Sequence, residues 1–474
     1  MEKIFRLKEN GTDVRTEIFA GLTTFMTMAY IIALNPNILT AFGSEGGSEL
    51  WNGVFLATCI ASAIGTFVMA FAANKPFVMA PGMGLNSFFA VVVANIVSLT
   101  GMSYLESFQA GLCIILVEGI VFLALSVLNI REKIVDAIPL GIRLGIAPAI
   151  GLMLLNIGFG SNAGVPNKDG GMFYVMRDFF GSLTPALAQK NIADGYPQMV
   201  LAVITMFVGL FVIVVLSHKG IRASVLLGML VSSVVYWAGE AIFLGTNPFA
   251  ALKGASFVPA FDDMAQTTLF KFSFSNIMEI GWFTVITLIL TFCIIDMFDT
   301  IGTLVGVATK ANMLDKNGKV PNIKKALFAD AIGTTVGACL GTSTVSTFVE
   351  SASGVAEGGR TGLTAVSTAF MFFLALFLSP IFGVFTSAVT ASVLVIVGLF
   401  MIENIKELDL EDYTEAIPAF LTIIMMPFAY SISDGIVFGV VSYILLKLFT
   451  GRWKEVTWPT VMVGVIFVLK FIFI

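Results

Sequence analysis

The stretch KPFVMAPGMGLNSFF, residues 75–89, is apolar enough to enter a bilayer but cannot cross it as a regular helix. Pro76 and Pro81 remove backbone donors, and Gly82 and Gly84 disrupt any helix between them. A second stretch, GTSTVSTFVESASG at 341–354, alternates Thr, Ser and Val in the manner of a short strand, and its β-branched residues crowd a helix. Each follows the same phrase. Ala63-Ile64-Gly65-Thr66 precedes the first, and Ala331-Ile332-Gly333-Thr334 precedes the second, 268 residues on. Thr24-Phe25 likewise returns as Thr291-Phe292 after 267 residues. Short strings of small residues recur by chance, but a shared offset points to two copies of one unit.

Outward from these broken segments lie apolar runs of the length a bilayer needs, about 20 residues for ~30 Å of hydrocarbon. They occupy 18–36, 52–73, 106–128, 143–160, 198–216 and 221–239 in the first half. The second half has 282–308, 326–341, 363–379, 385–402, 413–428 and 432–449. Counting 76–100 and 342–362 as the broken spans 3 and 10 gives fourteen crossings. Seven crossings per copy is an odd number, so the second copy enters the membrane upside down, as in secondary transporters with substrate near the midplane. With the N-terminus cytoplasmic, 20 of the 26 Lys and Arg fall inside and 5 outside, as the positive-inside rule requires. Lys3, Arg6, Lys8 and Arg15 precede a first run that lacks a cleavage site and reads as a retained span. The last apolar run, 456–474, carries Lys470 and either spans or lies against the protein. The expected fold is an all-α polytopic membrane protein with 14 transmembrane segments as 7+7 inverted repeats and two short strands in broken spans 3 and 10.

Composition agrees and excludes other classes. Charged residues make up 12% and hydrophobic residues 57%, against the ~25% charged of soluble domains. Mean hydropathy is +0.94. A soluble enzyme and a disordered chain are excluded, and with net charge −5 and no basic cluster so is a nucleic-acid binder. The four cysteines lie in apolar runs without CxxC spacing, and the single histidine, His218, lies in the loop 218–220; no metal site is expected. Gly354 to Thr361 nearly matches a phosphate loop, but Arg360 replaces the required Lys and no soluble strand–loop–helix surrounds it. Its glycines are read as allowing close helix packing.

Carboxylates inside spans are costly and mark function. Asp296 and Asp299 lie three apart on one helix face, Glu350 opens the segment after the second strand, and Asp330 and Glu118 sit within other spans. The two strands are expected to face each other, each leading into a half-helix whose N-terminus points at the midplane. Acidic groups without a paired cation favour a planar substrate that donates N–H bonds. Asn86 offers an amide for a ring carbonyl and ring nitrogen. Phe88, Phe89, Phe298 and Phe348 are candidates for stacking on it, with plain packing the rival reading. Glu118 reads as structural; the rival readings are capping of its own half-helix for Glu350, a structural hydrogen bond to the neighbouring strand for Asp299, and helix-to-helix bonding for Asp296 and Asp330. The proton-coupling candidates are Asp299, Asp296, Glu350 and Asp330, with Asp299 favoured; sodium is the alternative ion, and no cofactor is expected.

Four segments, GTDVRTEIFAGLTTFMTMAYIIALNPNIL, MAPGMGLNSFFA, DMFDTIGTL and STFVESASGVAEGGRTGLTAV, together resemble the hypoxanthine/guanine (AzgA-like) branch of the xanthine/uracil permease family. The resemblance covers essentially the whole chain. It implies core and gate domains: 15–128 and 276–380 as core, 131–240 and 383–450 as gate, and 456–474 as an extra C-terminal segment. It implies a purine nucleobase bound between the domains, proton symport by alternating access, and a homodimer through the gate domains in a bacterial plasma membrane. It places the family's acidic ligands on Asp299 and Glu350 and its asparagine on Asn86. Ser351 stands where uracil-type members carry Asn, and Thr303 where they place a histidine; both departures argue against a pyrimidine or xanthine. The alternatives are an anion carrier of the same 7+7 architecture and, from another class, a channel.

Overall fold

The computed structural model describes residues 1–41, 45–128, 139–165, 179–186, 195–249, 252–253, 255–310, 313, 320–429 and 431–473. Several counted cations, among them Arg131, Lys133, Lys168, Arg177, Lys190, Lys316 and Lys319, and the expected boundary near 131 lie outside these residues. The molecule is a helical, multi-pass membrane protein. Among the described residues nine helices are long and apolar enough to cross a membrane, and Ser387–Ile402 and Tyr413–Ala429 are shorter apolar helices. The chain divides into two compact units, one of Met1–Arg131, Gly220–Leu226 and Gly254–Gly383, the other of Glu132–Lys219, Leu227–Lys253 and Val384–Ile474.

The first unit is built on two strands, β1 (Met79–Pro81) and β2 (Val345–Thr347), paired antiparallel with Ala80 opposite Ser346. The ladder continues past both ends: Gly82 N–H donates to Thr344 C=O at 3.1 Å, and Phe348 N–H to Val78 C=O at 2.9 Å. The helices Gly47–Ala73 and Ile323–Leu340 carry the repeated AIGT phrases and pack together beneath the strands. The repeat is visible atom by atom. Thr66 Oγ1 donates to the Met79 carbonyl at 3.2 Å, and Thr334 Oγ1 to the Val345 carbonyl at 3.4 Å. Gly65 and Gly333 mark the crossing, where a Cβ on Gly65 would lie 3.5 Å from Gly333 Cα and one on Gly333 would lie 2.7 Å from Met79 Cε. Small residues permit that approach where lipid supplies no hydrophobic drive for helices to associate.

The segments after the strands differ in length. Met83–Thr100 is a full 18-residue helix, whereas Ser351–Ala356 stops after six. Gly358 at φ +99° breaks it, and Thr361 starts the helix Gly362–Ala375. Both strands lead into a helix, as expected, but the two are unequal: on the second side the Gly358-Gly359 pair ends the helix after six residues, short of two full turns. The phosphate-loop look-alike has a structural job here. Arg360 Nη1 donates to the carbonyls of Val355 and Gly359 at 2.6 and 2.8 Å. Glu17, fully buried, receives the backbone N–H groups of Arg360 and Thr364 at 2.8 and 3.0 Å and the hydroxyls of Thr361 and Thr364 at 2.8 and 2.6 Å. It caps the next helix across the sequence, a carboxylate at the positive end.

In the second unit Gly151, in helix Leu140–Ile157, meets Gly398, in Ser387–Ile402, so closely that a Cβ on either would lie 2.5 or 2.6 Å from the other's carbonyl oxygen. His218 closes the helix Tyr196–His218 instead of lying in the following loop. The last segment is a helix, Trp458–Phe473, packed on Ile432–Phe449 through Gly464, which faces Ile444 and Val440. Outside the spans, Arg452 donates to Asp412 at 2.6 Å and to Glu455 at 2.7 and 2.8 Å; the Thr414 hydroxyl and then Arg452 hold Asp412 below its usual range, and Arg452 with Lys447 holds Glu455 at about 2.

Replacing Glu17 with Ala leaves several buried donors of the 360–364 turn without an acceptor, at a cost of about 1–3 kcal/mol each before relaxation. Glu17→Ala should lower the melting temperature of purified protein measurably, whereas Glu9→Ala at the exposed N-terminus should not move it.

Candidate functional site

The segment 342–346 touches a different helix at almost every residue. Asn35 Nδ2 donates to the Thr342 hydroxyl at 2.8 Å and to that of Thr58 at 2.7 Å. Ser343 Oγ donates to Asn86 Oδ1, and Thr344 Oγ1 donates to Glu118 Oε2 at 3.0 Å. Ser346 Oγ donates to Asp299 Oδ2 at 2.9 Å. Threonine and serine suit this position because their hydroxyls serve neighbouring helices while the backbone completes the β ladder.

Two carboxylates flank this segment and are only partly buried. Asp299 comes from the helix Trp282–Lys310 and meets Ser346 beside Gly82, where a Cβ would lie 2.8 Å from Ser346 Oγ and 3.3 Å from Asp299 Oδ2. Glycine is needed there to let backbone, hydroxyl and carboxylate converge. Glu350, four residues beyond Ser346, is the N-cap residue of Ser351–Ala356 but makes no side-chain cap bond. Its Oε1 instead accepts from the hydroxyl of Tyr30 at 2.5 Å. Self-capping is thus not what Glu350 does. Four residues of chain span at most ~14 Å, so both carboxylates stand at the ends of one short segment.

The other expected residues are placed behind these two. Asn86 is fully buried with both ends of its amide engaged, Nδ2 donating to the Pro81 carbonyl at 3.2 Å. Ser351 is fully buried, and its hydroxyl accepts from Val78 N–H at 3.0 Å. Phe88 packs against Phe292 with ring centroids 4.6 Å apart and the rings tilted by 47°, within a group that also holds Phe89 and Phe108. Phe348 is buried at the end of the ladder, and the side chain of Phe298 lies outside the described residues. Asp296 and Asp330 form a separate pair: Thr300 Oγ1 lies 2.7 Å from Asp330 Oδ1 and 3.4 Å from Asp296 Oδ1. All three are fully buried. Among the described residues no cluster of His, Cys, Asp and Glu could hold a metal ion.

Sequence reasoning missed Tyr30 and Ser346. Tyr30 is the one polar aromatic in the apolar run MAYIIALN, and a buried phenol needs a partner. Ser346 follows from strand alternation only once the pairing partner is known, because the register decides which face it presents.

A family model described as a permease family, of the xanthine/uracil type, matches residues 15–438. A putative permease of Methanocaldococcus jannaschii is 39% identical over 474 residues, covering 100% of this chain and 98% of that protein. The adenine permease AdeQ of Escherichia coli is 37% identical over 476 residues, covering 100% and 96%. The guanine/hypoxanthine permease PbuG of Bacillus subtilis is 36% identical over 481 residues, covering all of both chains. Among solved structures, the transmembrane domain of a cyanobacterial bicarbonate transporter, BicA, superposes with a TM-score of 0.61 at 14% identity, over 90% of this chain and 97% of that one. That likeness is one of fold.

Ser343→Ala removes the donor that meets the buried Asn86 Oδ1. The expected loss is about 1–3 kcal/mol of stability, read as a lower melting temperature of the purified protein.

Proposed function

This chain belongs to the xanthine/uracil permease family, and on that premise we propose that it imports purine nucleobases by proton symport with alternating access. The observation that carries the proposal is the pair of partly buried carboxylates, Asp299 and Glu350, each holding a hydroxyl donor at one end of the segment 346–350. A carboxylate fixed in this way accepts the ring N–H groups of hypoxanthine, guanine or adenine and the amino groups of the latter two, and charge-assisted bonds of that kind are the strong ones. The names of the relatives, adenine and guanine/hypoxanthine permeases, support the same substrate class.

In this reading Glu350 and Asp299 bind the base. Asn86 and Ser351 brace the strands through their protein hydrogen bonds, and Phe88 and Phe348 close the apolar side. Asp299 carries the coupling proton, with Asp296 and Asp330 as a second, more deeply buried store. The unit that contains the strands is the core, the other unit is the gate, and movement of the gate against the core exposes the site to each side in turn. The protein resides in the inner membrane of a bacterium with its N-terminus cytoplasmic, as a homodimer through its gate units.

The runner-up, an anion carrier, draws on the fold likeness to a bicarbonate transporter. Among the described residues, Asp299, Glu350 and Glu118 are the carboxylates hydrogen-bonded at or beside the strand pair. A desolvated anion beside them would be repelled.

Uptake of labelled hypoxanthine, guanine and adenine by a permease-deficient bacterial strain tests the proposal. Saturable uptake that a protonophore abolishes, and that survives replacement of sodium by choline, is expected. Glu350→Gln should abolish it while the protein still inserts, and unchanged uptake in that variant would remove the assignment. Asp299→Asn should lose accumulation, while exchange across preloaded vesicles persists with a raised KM because one contact to the base is weakened. Flux of bicarbonate or sulfate without purine uptake would favour the anion carrier, and unsaturable current a channel.

A further inference from the structure

The opening helix Val14–Met28 meets the short helix Ser351–Ala356 along three rungs. At the first, Gly354 lies so close that a Cβ would be 2.1 Å from Thr24 Oγ1 and 2.6 Å from the Ala20 carbonyl. At the second, the hydroxyls of Thr27 and Ser353 are 2.9 Å apart. At the third, Tyr30 donates to Glu350. Residues 24, 27 and 30 thus rise along one helix face while their partners descend 354, 353 and 350, an antiparallel zipper that ends on the site carboxylate. The helical ladder tightens at the last rung: Ile32 N–H bonds to Ala29 C=O and Ala33 N–H to Tyr30 C=O, both three residues back. This one-turn change of pitch lies between Val14–Met28 and Ile31–Leu39, at the residue that carries the phenol. Tyr30 itself is 1% exposed, so its hydroxyl has no water to turn to.

Resting on the transport reading above, we propose that Tyr30 is a positioning residue for purine recognition: its hydroxyl holds Glu350 Oε1 so that the other carboxylate oxygen faces the base. Among the described residues Tyr30 is the side chain that bonds this carboxylate. Without the phenol, Glu350 is free to swing back and cap the N–H groups of its own short helix, as an N-cap carboxylate ordinarily does. Binding the base then requires freezing that side chain first. The cost falls on affinity and leaves the rate of the conformational cycle alone.

The test is Tyr30→Phe, which removes one oxygen and keeps the ring in its buried place. Per inserted molecule, the KM for the transported purine should rise about tenfold, with Vmax within about twofold of wild type and an unchanged melting temperature. A purely structural role would lower the melting temperature or Vmax and leave KM alone, and that result overturns the proposal. Gly354→Ala, which forces the zipper apart at its first rung, should raise KM in the same way, and little further when combined with Tyr30→Phe. Full additivity of the two overturns it as well. Wild type run in parallel separates the levels. No saturable purine uptake there overturns this inference and the transport reading together, whereas normal wild-type uptake with an unchanged Tyr30→Phe KM overturns this inference alone.

Discussion

The site depends on one backbone arrangement: three residues of the first repeat paired with three of the second. Extended chain within a bilayer exposes N–H and C=O groups that lipid cannot satisfy, so it persists only where protein answers every one. Here the ladder answers those between the strands, and side chains answer others. Ser351 accepts from Val78, and Thr66 both accepts from Met79 N–H at 3.0 Å and donates to Met79 C=O. Because each strand comes from a different copy of the repeat, neither copy can complete the motif alone. Ser346 is aimed at Asp299 only because Ala80 lies opposite it. A slip of one residue would turn that hydroxyl to the other face and leave the carboxylate without its donor.

Helices around the strands are held by small residues and hydroxyls. Leu against lipid is no worse than Leu against Leu, so association must come from close backbone contact and hydrogen bonds. Gly65 with Gly333 in one unit and Gly151 with Gly398 in the other are the same solution used twice. By the span count these are the second with the ninth and the fifth with the twelfth, which occupy equivalent places in the two copies. The Gly354 contact with Thr24 is of the same kind, and it lies on the helix pair that also carries the Tyr30–Glu350 bond.

Much of this is legible in sequence for a physical reason. A broken apolar segment, a repeat offset and an unpaired intramembrane carboxylate are all violations of what a bilayer tolerates, and violations stand out against 57% hydrophobic residues. Residues that obey the local rules while acting at long range do not stand out. Glu17 reads as an ordinary first-turn acid of its own helix, yet its carboxylate serves residues some 343 to 347 positions away. Tyr30 reads as one more aromatic. The short second helix was hidden too, because Gly358-Gly359 can equally serve helix packing, and only the positive φ of Gly358 shows that it ends one. Asn86 shows the converse: an amide at the right place suggests a ligand, and its two protein partners become visible only in three dimensions.

The fold shared with a bicarbonate transporter at 14% identity sharpens the question of what selects the cargo. Fold alone does not decide it, because function resides in the groups grafted onto the scaffold. A helix N-terminus beside a midplane strand offers N–H donors and partial positive charge, which by itself suits an anion. On the second repeat this chain shortens that helix to six residues and sets Glu350 at its start, with the carboxylate turned away from the helix's own N–H groups by Tyr30. The site thereby presents acceptors where the bare scaffold would present donors. A neutral ligand edged with N–H groups can meet two fixed carboxylates without bringing a second negative charge into hydrocarbon, and a small anion cannot. On the proposed reading, selection between the two classes of cargo rests on which way one glutamate points.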